Sequence, residues 1–306
     1  MHPIVHFENR SALPAPNIGR APRIAALAHL ALVDELELTP KPGLVDRRGS
    51  GAHDDLSFDL MLKSAAVLEP YFASMARIAE MMDLTHSLRR ILGAIGRAAE
   101  RAMFKATGGI NSHKGAIWVM GLLVSAAAWT EGQSVGEIAA TAGAISRMPD
   151  TFGPELVTHG EIVRRSFGVA GAREEAANDF VHVIGVGIPT LRERRAAGCL
   201  EGISRLDALM ALMAEVKDTC ILYRGGSEGL NITQTGARLV LNAGGCGSSA
   251  GQEKLRALDR ELLARRLSPG GSADLLAATI FLDAVERGNA AINRSRNEWE
   301  EPDGAA

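Results

Sequence analysis

The sequence predicts an all-α protein: a single compact multi-helix domain with a cleft formed by glycine-rich loops at helix termini. Three observations carry that reading. Of 306 residues only 4% are aromatic, while Ala, Leu and Gly abound and 46% are hydrophobic. That bias suits closely packed helices rather than a β-sandwich, which draws on Val, Thr, Tyr and Trp. Apolar residues recur at three- and four-residue spacing in one segment after another, with no strand alternation and no βαβ rhythm. Polar loops carrying glycine adjoin most of these segments, and together they delimit about ten to twelve helices.

Taken in order, residues 1–22 are polar and broken by Pro3, Pro14, Pro16 and Pro22, and they read as a flexible N-terminal arm. A first helix is expected over 23–38, with Leu27, Leu30, Val33 or Asp34, and Leu38 on one face. Pro40 and Pro42 bias Thr39 and Lys41 away from helix, so it stops at the stretch TPKPGLVDRRGSGAHDD, residues 39–55. Residues 56–69 are helical with Ser57 or Asp55 as cap, and Pro70 is expected to open a new helix at its first turn. Leu84, Leu88, Ile91, Leu92, Ile95 and Ala99 mark a long amphipathic helix, and loop 107–114 then opens into an apolar core helix over 116–130. Ser134 and Glu137 form a capping box for a helix that ends before Pro149. Further helices are expected over 156–165, between Pro189 and Gly198, over 204–216, 233–242 and 251–266, and after a cap at Ser272. Residues 23–290 thus form one all-α domain, the part expected to be catalytic, and 291–306 a C-terminal tail.

A formal net charge of −3 gives no reason to expect a nucleic-acid or anionic-membrane partner. Phosphate binding must therefore come from local basic loops. Cys199, Cys220 and Cys246 are odd in number and lack zinc-type spacing, which together with a polar N-terminus points to a reduced, cytoplasmic protein. The most apolar run, 116–128, is well short of the ~20 residues that span a bilayer.

Five glycine-bearing loops, 39–55, 107–114, 166–174, 223–229 and 268–274, bring polar groups to helix ends, where free N–H groups favour anions. None matches a P-loop or a dinucleotide fingerprint. The first carries Lys41, Asp46, Arg47, Arg48, His53, Asp54 and Asp55, a mixture suited to a polyphosphate with a hard cation. His53, His113 and His159 sit beside glycine or lysine, open either to loop hydrogen bonding or to proton transfer, whereas His29 on an apolar helix reads as a core residue. Asp54 and Asp55 are either an acidic first turn or metal ligands, and Asp218 is the next acidic candidate.

The segments TPKPGLVD, GAH-x-D, GGINSHKGAIW, FGVAGAREEA, DTCILYRGG and SPGGSADLL, in that order over residues 25–285, resemble the triphosphoribosyl-dephospho-CoA synthase family. One departure is visible: Ser57 stands where the family tends to have a second aspartate, leaving Asp54 or Asp59 to substitute. The resemblance implies transfer of the triphosphoribosyl part of ATP to the 2′-hydroxyl of 3′-dephospho-CoA, with release of adenine. The product would be the prosthetic-group precursor for an acyl carrier protein of malonate decarboxylase or citrate lyase, passed on by a holo-transferase. Lack of a fused second domain favours malonate decarboxylase. A homodimer is left open.

On that reading Lys41, Lys114 and Arg224 anchor phosphates, and Asp54 and Asp55 hold Mg²⁺. Asp218 is the leading carboxylate for the sugar or the base role, with His53 and His113 as alternatives for proton transfer. Asp46, Asn111, Arg164, Arg173, Tyr223, Gly225, Gly226, Ser268, Gly270 and Gly271 complete the expected nucleotide contacts. Two other functions use similar residue types: an all-α, Mg²⁺-dependent N-glycoside hydrolase of the ADP-ribose type, and a non-catalytic ATP-binding regulator.

Overall fold

The computed structural model describes residues 19–130, 134–150 and 159–299, with 159 and 289–299 described by backbone alone. Most of the expected arm (1–18), Leu156, the side chain of His159 and the end of the tail (300–306) lie outside the described residues. Among the described residues there are twelve α-helices: α1 (Arg20–Glu37), α2 (Phe58–Met81), α3 (His86–Thr107), α4 (Lys114–Trp129), α5 (Val135–Arg147), α6 (His159–Phe167), α7 (Ala172–Ala177), α8 (Ile188–Ala196), α9 (Glu201–Glu215), α10 (Thr219–Asn242), α11 (Ser249–Ala264) and α12 (Gly270–Trp299). A π-helical turn, Val183–Gly187, runs directly into α8. No strand occurs among these residues; the one β feature is an isolated bridge between Asp46 and Gly49.

Helix α4 is the centre. It is buried on every side from Ala116 to Ala128 except at Trp118, as a helix apolar all round must be. Around it pack α1, α2, α3, α5, α7 and α12. Helix α12 also reaches α9, which packs on α8 and α10, so one hydrophobic core runs through both halves. Ser134 caps α5 through the expected capping box with Glu137.

The structure corrects four local expectations. The apolar face of α1 is Ile24, Leu27, Ala28, Ala31, Leu32, Glu35 and Leu36, rotated from the expected one, and it buries a glutamate. Helix α2 runs through Pro70 instead of restarting there. Pro70 is exposed, so the carbonyl it cannot pair faces water, while Leu68, Phe72, Met75 and Ala76 are buried on the opposite side. The expected loop at 223–229 is helical: α10 passes through it with a kink at Gly226, whose φ of 60° and ψ of −157° only glycine adopts readily. Ser272 lies inside the first turn of α12, which starts at Gly270, and is not its cap. The α12 backbone is helical through 291–299.

The 39–55 loop is fixed by one buried carboxylate. Asp46 accepts hydrogen bonds from the Lys41 and Arg48 backbone N–H groups, both at 2.8 Å, and from the Arg48 guanidinium. Arg48 continues to Asp259 of α11 at 2.6 Å, and Asp259 also accepts from the Gly43 N–H. Leu36, Val45 and Leu56 form a small apolar cluster with this loop. Asp46→Ala strands a buried N–H and is expected to cost about 2–3 kcal/mol in urea unfolding. Asp54→Ala, at an exposed side chain on the same loop, is expected to stay within about 0.5 kcal/mol.

Candidate active site

A cavity of about 1040 Å³ opens where the 39–55 loop meets the first turns of α4, α10 and α12 and the 169–175 segment. Lys41, His53, Asp55, Asn111, His113, Lys114, Arg164, Arg173, Asp218, Tyr223, Arg224, Ser268, Gly270 and Gly271 all line it. Each of the six motifs therefore contributes to one wall or another.

Lys41 sits at the bottom, only 1% exposed, with its Nζ 2.5 Å from Glu35 Oε1 on α1. Burying an ammonium requires such a partner. Burial raises the Glu35 carboxyl above its ordinary range, and the lysine opposes that rise. His113, at the N-terminus of α4, receives or donates a 2.8 Å bond between its Nδ1 and Ser64 Oγ, while its buried Nε2 has no partner among the described residues. Burial, and then the Lys41 charge, lower its pKa to about 4. Asn111 Oδ1 accepts from the Lys114 N–H at the same helix start, and Lys114 Nζ lies 3.4 Å from Glu100.

On the opposite wall, His53 Nε2 is 2.9 Å from Ser268 Oγ and its Nδ1 is 3.1 Å from Arg224 Nη2. Burial and the Arg224 charge lower the His53 pKa, against Asp55 at 3.6 Å. Arg224 also donates to the carbonyls of Ala52 and Arg266, which ties α10 to both flanking loops. Asp218 caps α10 by accepting from the Cys220 and Ile221 N–H groups, and accepts from the Ser272 N–H and hydroxyl on α12. Both its oxygens are thus engaged, although burial raises its pKa. Gly271 lies against this carboxylate, where a Cβ would approach to 3.1 Å. Arg164 pairs with Glu161 on its own helix and, like Arg173 and Tyr223, is exposed at the rim.

Four expected contacts lie outside the cavity lining. Asp46 is committed to the loop interior. Gly225 and Gly226 form the α10 kink, with Gly225 packed against Leu267. Asp54 is exposed and pairs with Arg266, so the Asp54–Asp55 pair does not fit a joint Mg²⁺ ligand set; only Asp55 faces the cavity. Among the described residues no three His, Cys, Asp or Glu side chains converge on a metal position.

Seven acidic lining residues, among them Glu35, Asp274, Glu174 and Glu175, and a histidine have no counterpart in the expected set. Glu35 is buried beneath Lys41, and its signal was a charge on an apolar helical stripe. Asp274, inside SPGGSAD, lies against Gly115 at the start of α4 with no hydrogen-bond partner among the described residues. Its pKa is raised well above the ordinary carboxylate value by burial and then by Glu35 and Asp218. Glu174 and Glu175 join the lining from α7, and Glu175 makes a 2.6 Å bond with His182 that raises the histidine pKa.

Fold and cavity define an all-α protein with a deep polar cleft lined by cations and by carboxylates whose pKa values burial raises. The sequence profile described as ATP:dephospho-CoA triphosphoribosyl transferase matches residues 21–293, and the chain belongs to that family of transferases. A relative in Stutzerimonas stutzeri, named a probable 2-(5″-triphosphoribosyl)-3′-dephosphocoenzyme-A synthase, is 53% identical over 87% of this chain and 92% of its own length. A relative of the same name in Azotobacter vinelandii is 50% identical over 90% and 95% respectively. The Klebsiella pneumoniae 2-(5″-triphosphoribosyl)-3′-dephosphocoenzyme-A synthase is 48% identical over 86% and 95%. No solved structure matches the chain. No helix among the described residues is long and apolar enough to cross a membrane.

Because the folded pKa of His113 lies below the unfolded value, its neutral form stabilises the fold above pH 6.5, and that contribution is lost as pH falls towards 4. His113→Gln is therefore expected to remove roughly 3 kcal/mol of the stability difference between pH 7 and pH 4, measured by urea unfolding of both proteins at each pH. Identical pH dependence in the two proteins would mean that His113 is not held neutral.

Proposed function

We propose that this protein transfers the triphosphoribosyl group of ATP to the 2′-hydroxyl of 3′-dephospho-CoA and releases adenine. The observation that carries the proposal is the convergence of six separated motifs on one cavity in a chain of this family. In the reaction the bond from C1′ of ATP to adenine breaks and a bond from the acceptor oxygen to C1′ forms. The hydroxyl proton goes to a base and adenine takes up a proton.

The ribose carbon gains oxocarbenium character on the way, so a carboxylate nearby lowers the barrier. Asp274 suits the base role better than Asp218. It faces the cavity without a hydrogen-bond partner among the described residues, and burial raises its pKa, whereas Asp218 spends both oxygens on helix N–H groups and Ser272. Asp218 then acts by holding α10 and α12 together beside Gly271. His53, kept neutral by burial and Arg224, is placed to exchange a proton with the departing base through Nε2. Lys114, Arg224 and the N–H groups opening α4 supply charge for the triphosphate. Lys41 is already neutralised by Glu35 and contributes field and shape rather than free charge. Were Mg²⁺ to accompany ATP, Asp55 in the cavity lining would help hold it alongside phosphate and water, and the ion would offset charge on the triphosphate. Offering the product with a holo-transferase to each carrier protein separates malonate decarboxylase from citrate lyase as the system served.

Adenine release should require ATP and dephospho-CoA together, with neither sufficient alone. Asp274→Asn is expected to lower kcat by about 10²- to 10⁴-fold, as loss of a general base does, with ATP affinity changed only a few-fold. Adenine release from ATP without an acceptor would instead indicate a hydrolase, and an unimpaired Asp274→Asn would move the base role to Asp218.

A further inference from the structure

A second cavity of about 780 Å³ adjoins the first, between α3, α4 and α5. Glu100, Lys114, Trp118, Glu161 and Arg173 line both, so the two spaces share a wall. The chemistry of the second differs from that of the first. Its floor is apolar, with Met75, Leu92 and Leu122, and side-chain-free at Gly93 and Gly121. A Cβ on Gly93 would run into Asp150, and one on Gly121 would meet Met75 Sδ at 2.9 Å, so glycine at both positions lets these side chains pack close against the helix backbones.

Cations collect over that floor. Arg89 and Arg97 share a single carboxylate, Asp150, at 3.6 and 2.7 Å. Arg173 pairs with no carboxylate among the described residues. Arg89 is only 6% exposed and lies over the Trp118 ring at 5.3 Å. Its buried Nε has no hydrogen-bond partner among the described residues. A buried donor left unpaired beside excess positive charge is an anion site without its anion. Burial lowers the Arg89 pKa, and Arg97 and Arg173 add to that effect against Asp150.

The proposed reaction brings together two phosphate-bearing substrates, and this inference rests on that reading. Only one of them continues beyond its phosphates into a long, weakly polar chain. We propose that the second cavity is the acceptor subsite. Arg89, Arg97 and Arg173 take the diphosphate of dephospho-CoA, and the hollow over Leu92 and Leu122 takes its pantetheine arm. The acceptor ribose then falls at the shared wall, beside Lys114 and Trp118, facing ATP in the first cavity.

The test is calorimetric titration of the full chain with dephospho-CoA and, separately, with Mg²⁺-ATP. Arg97 lines the second cavity alone, and Arg97→Gln leaves Asp150 paired with Arg89. It is expected to raise the Kd for dephospho-CoA roughly tenfold or more, with ATP affinity within about twofold. Arg173→Gln, at an exposed side chain, provides a second variant that keeps the fold, with Arg173→Lys regaining most of the loss. Unchanged dephospho-CoA affinity in both glutamine variants, an equal loss towards ATP, or no dephospho-CoA binding by the unaltered chain would overturn the assignment. Arginine-dependent binding of dephospho-CoA without any adenine release would leave this subsite standing and refute the transfer reaction instead.

Discussion

The arrangement depends on an ammonium group buried beneath a polyphosphate-sized cavity. Lys41 cannot lie at 1% exposure without a counter-charge, and Glu35 supplies it from α1 at 2.5 Å. That pair binds the central loop to the first helix and puts a fixed charge beside His113, which burial already keeps neutral. It also puts a carboxylate within range of Asp274, whose proton is held the more tightly for it. One ion pair thus adds to what burial already does to the pKa values of a histidine and a carboxyl. Breaking it by removing one partner would leave an uncompensated charge in the core, a loss of several kcal/mol in comparable sites.

Above that floor the site is made from helix beginnings. The starts of α4, α10 and α12 meet at the cavity, and Asp218 joins two of them by accepting from N–H groups of both. Helix starts bring partial positive charge without side-chain entropy, which suits a triphosphate that must be held but not cleaved. Arg224 closes the opposite edge by reaching both flanking loops. Arg164, Arg173 and Tyr223 form the exposed rim.

Much of the fold was legible because helical periodicity and capping chemistry are local. The capping box at Ser134, the buried α4 and the interrupted segment at 39–55 all follow from neighbours in sequence. Pro70 misled because its local penalty is small on an exposed face and tertiary burial of Phe72 and Met75 outweighs it. The 223–229 stretch misled because its glycines serve a kink and close packing against Leu267, which only the third dimension reveals. Among the site residues, lysines, histidines and loop glycines declared themselves by type. Glu35 and Asp274 did not: a glutamate on a helix and an aspartate in a first turn are ordinary until burial raises their pKa values. The separation of Asp54 from Asp55 was equally invisible, since adjacent residues in a turn point apart.

The central claim is that one cavity gathers loops distant in sequence around ATP. Hydrogen–deuterium exchange of the full chain with and without Mg²⁺-ATP tests it directly, since each wall is a separate peptide. The account predicts slowed exchange in 39–56, 107–118, 168–175, 217–224 and 266–275 together, with α11 beyond Asp259 unchanged. Protection confined to a single one of those segments, or centred on α8 and α11, would contradict it.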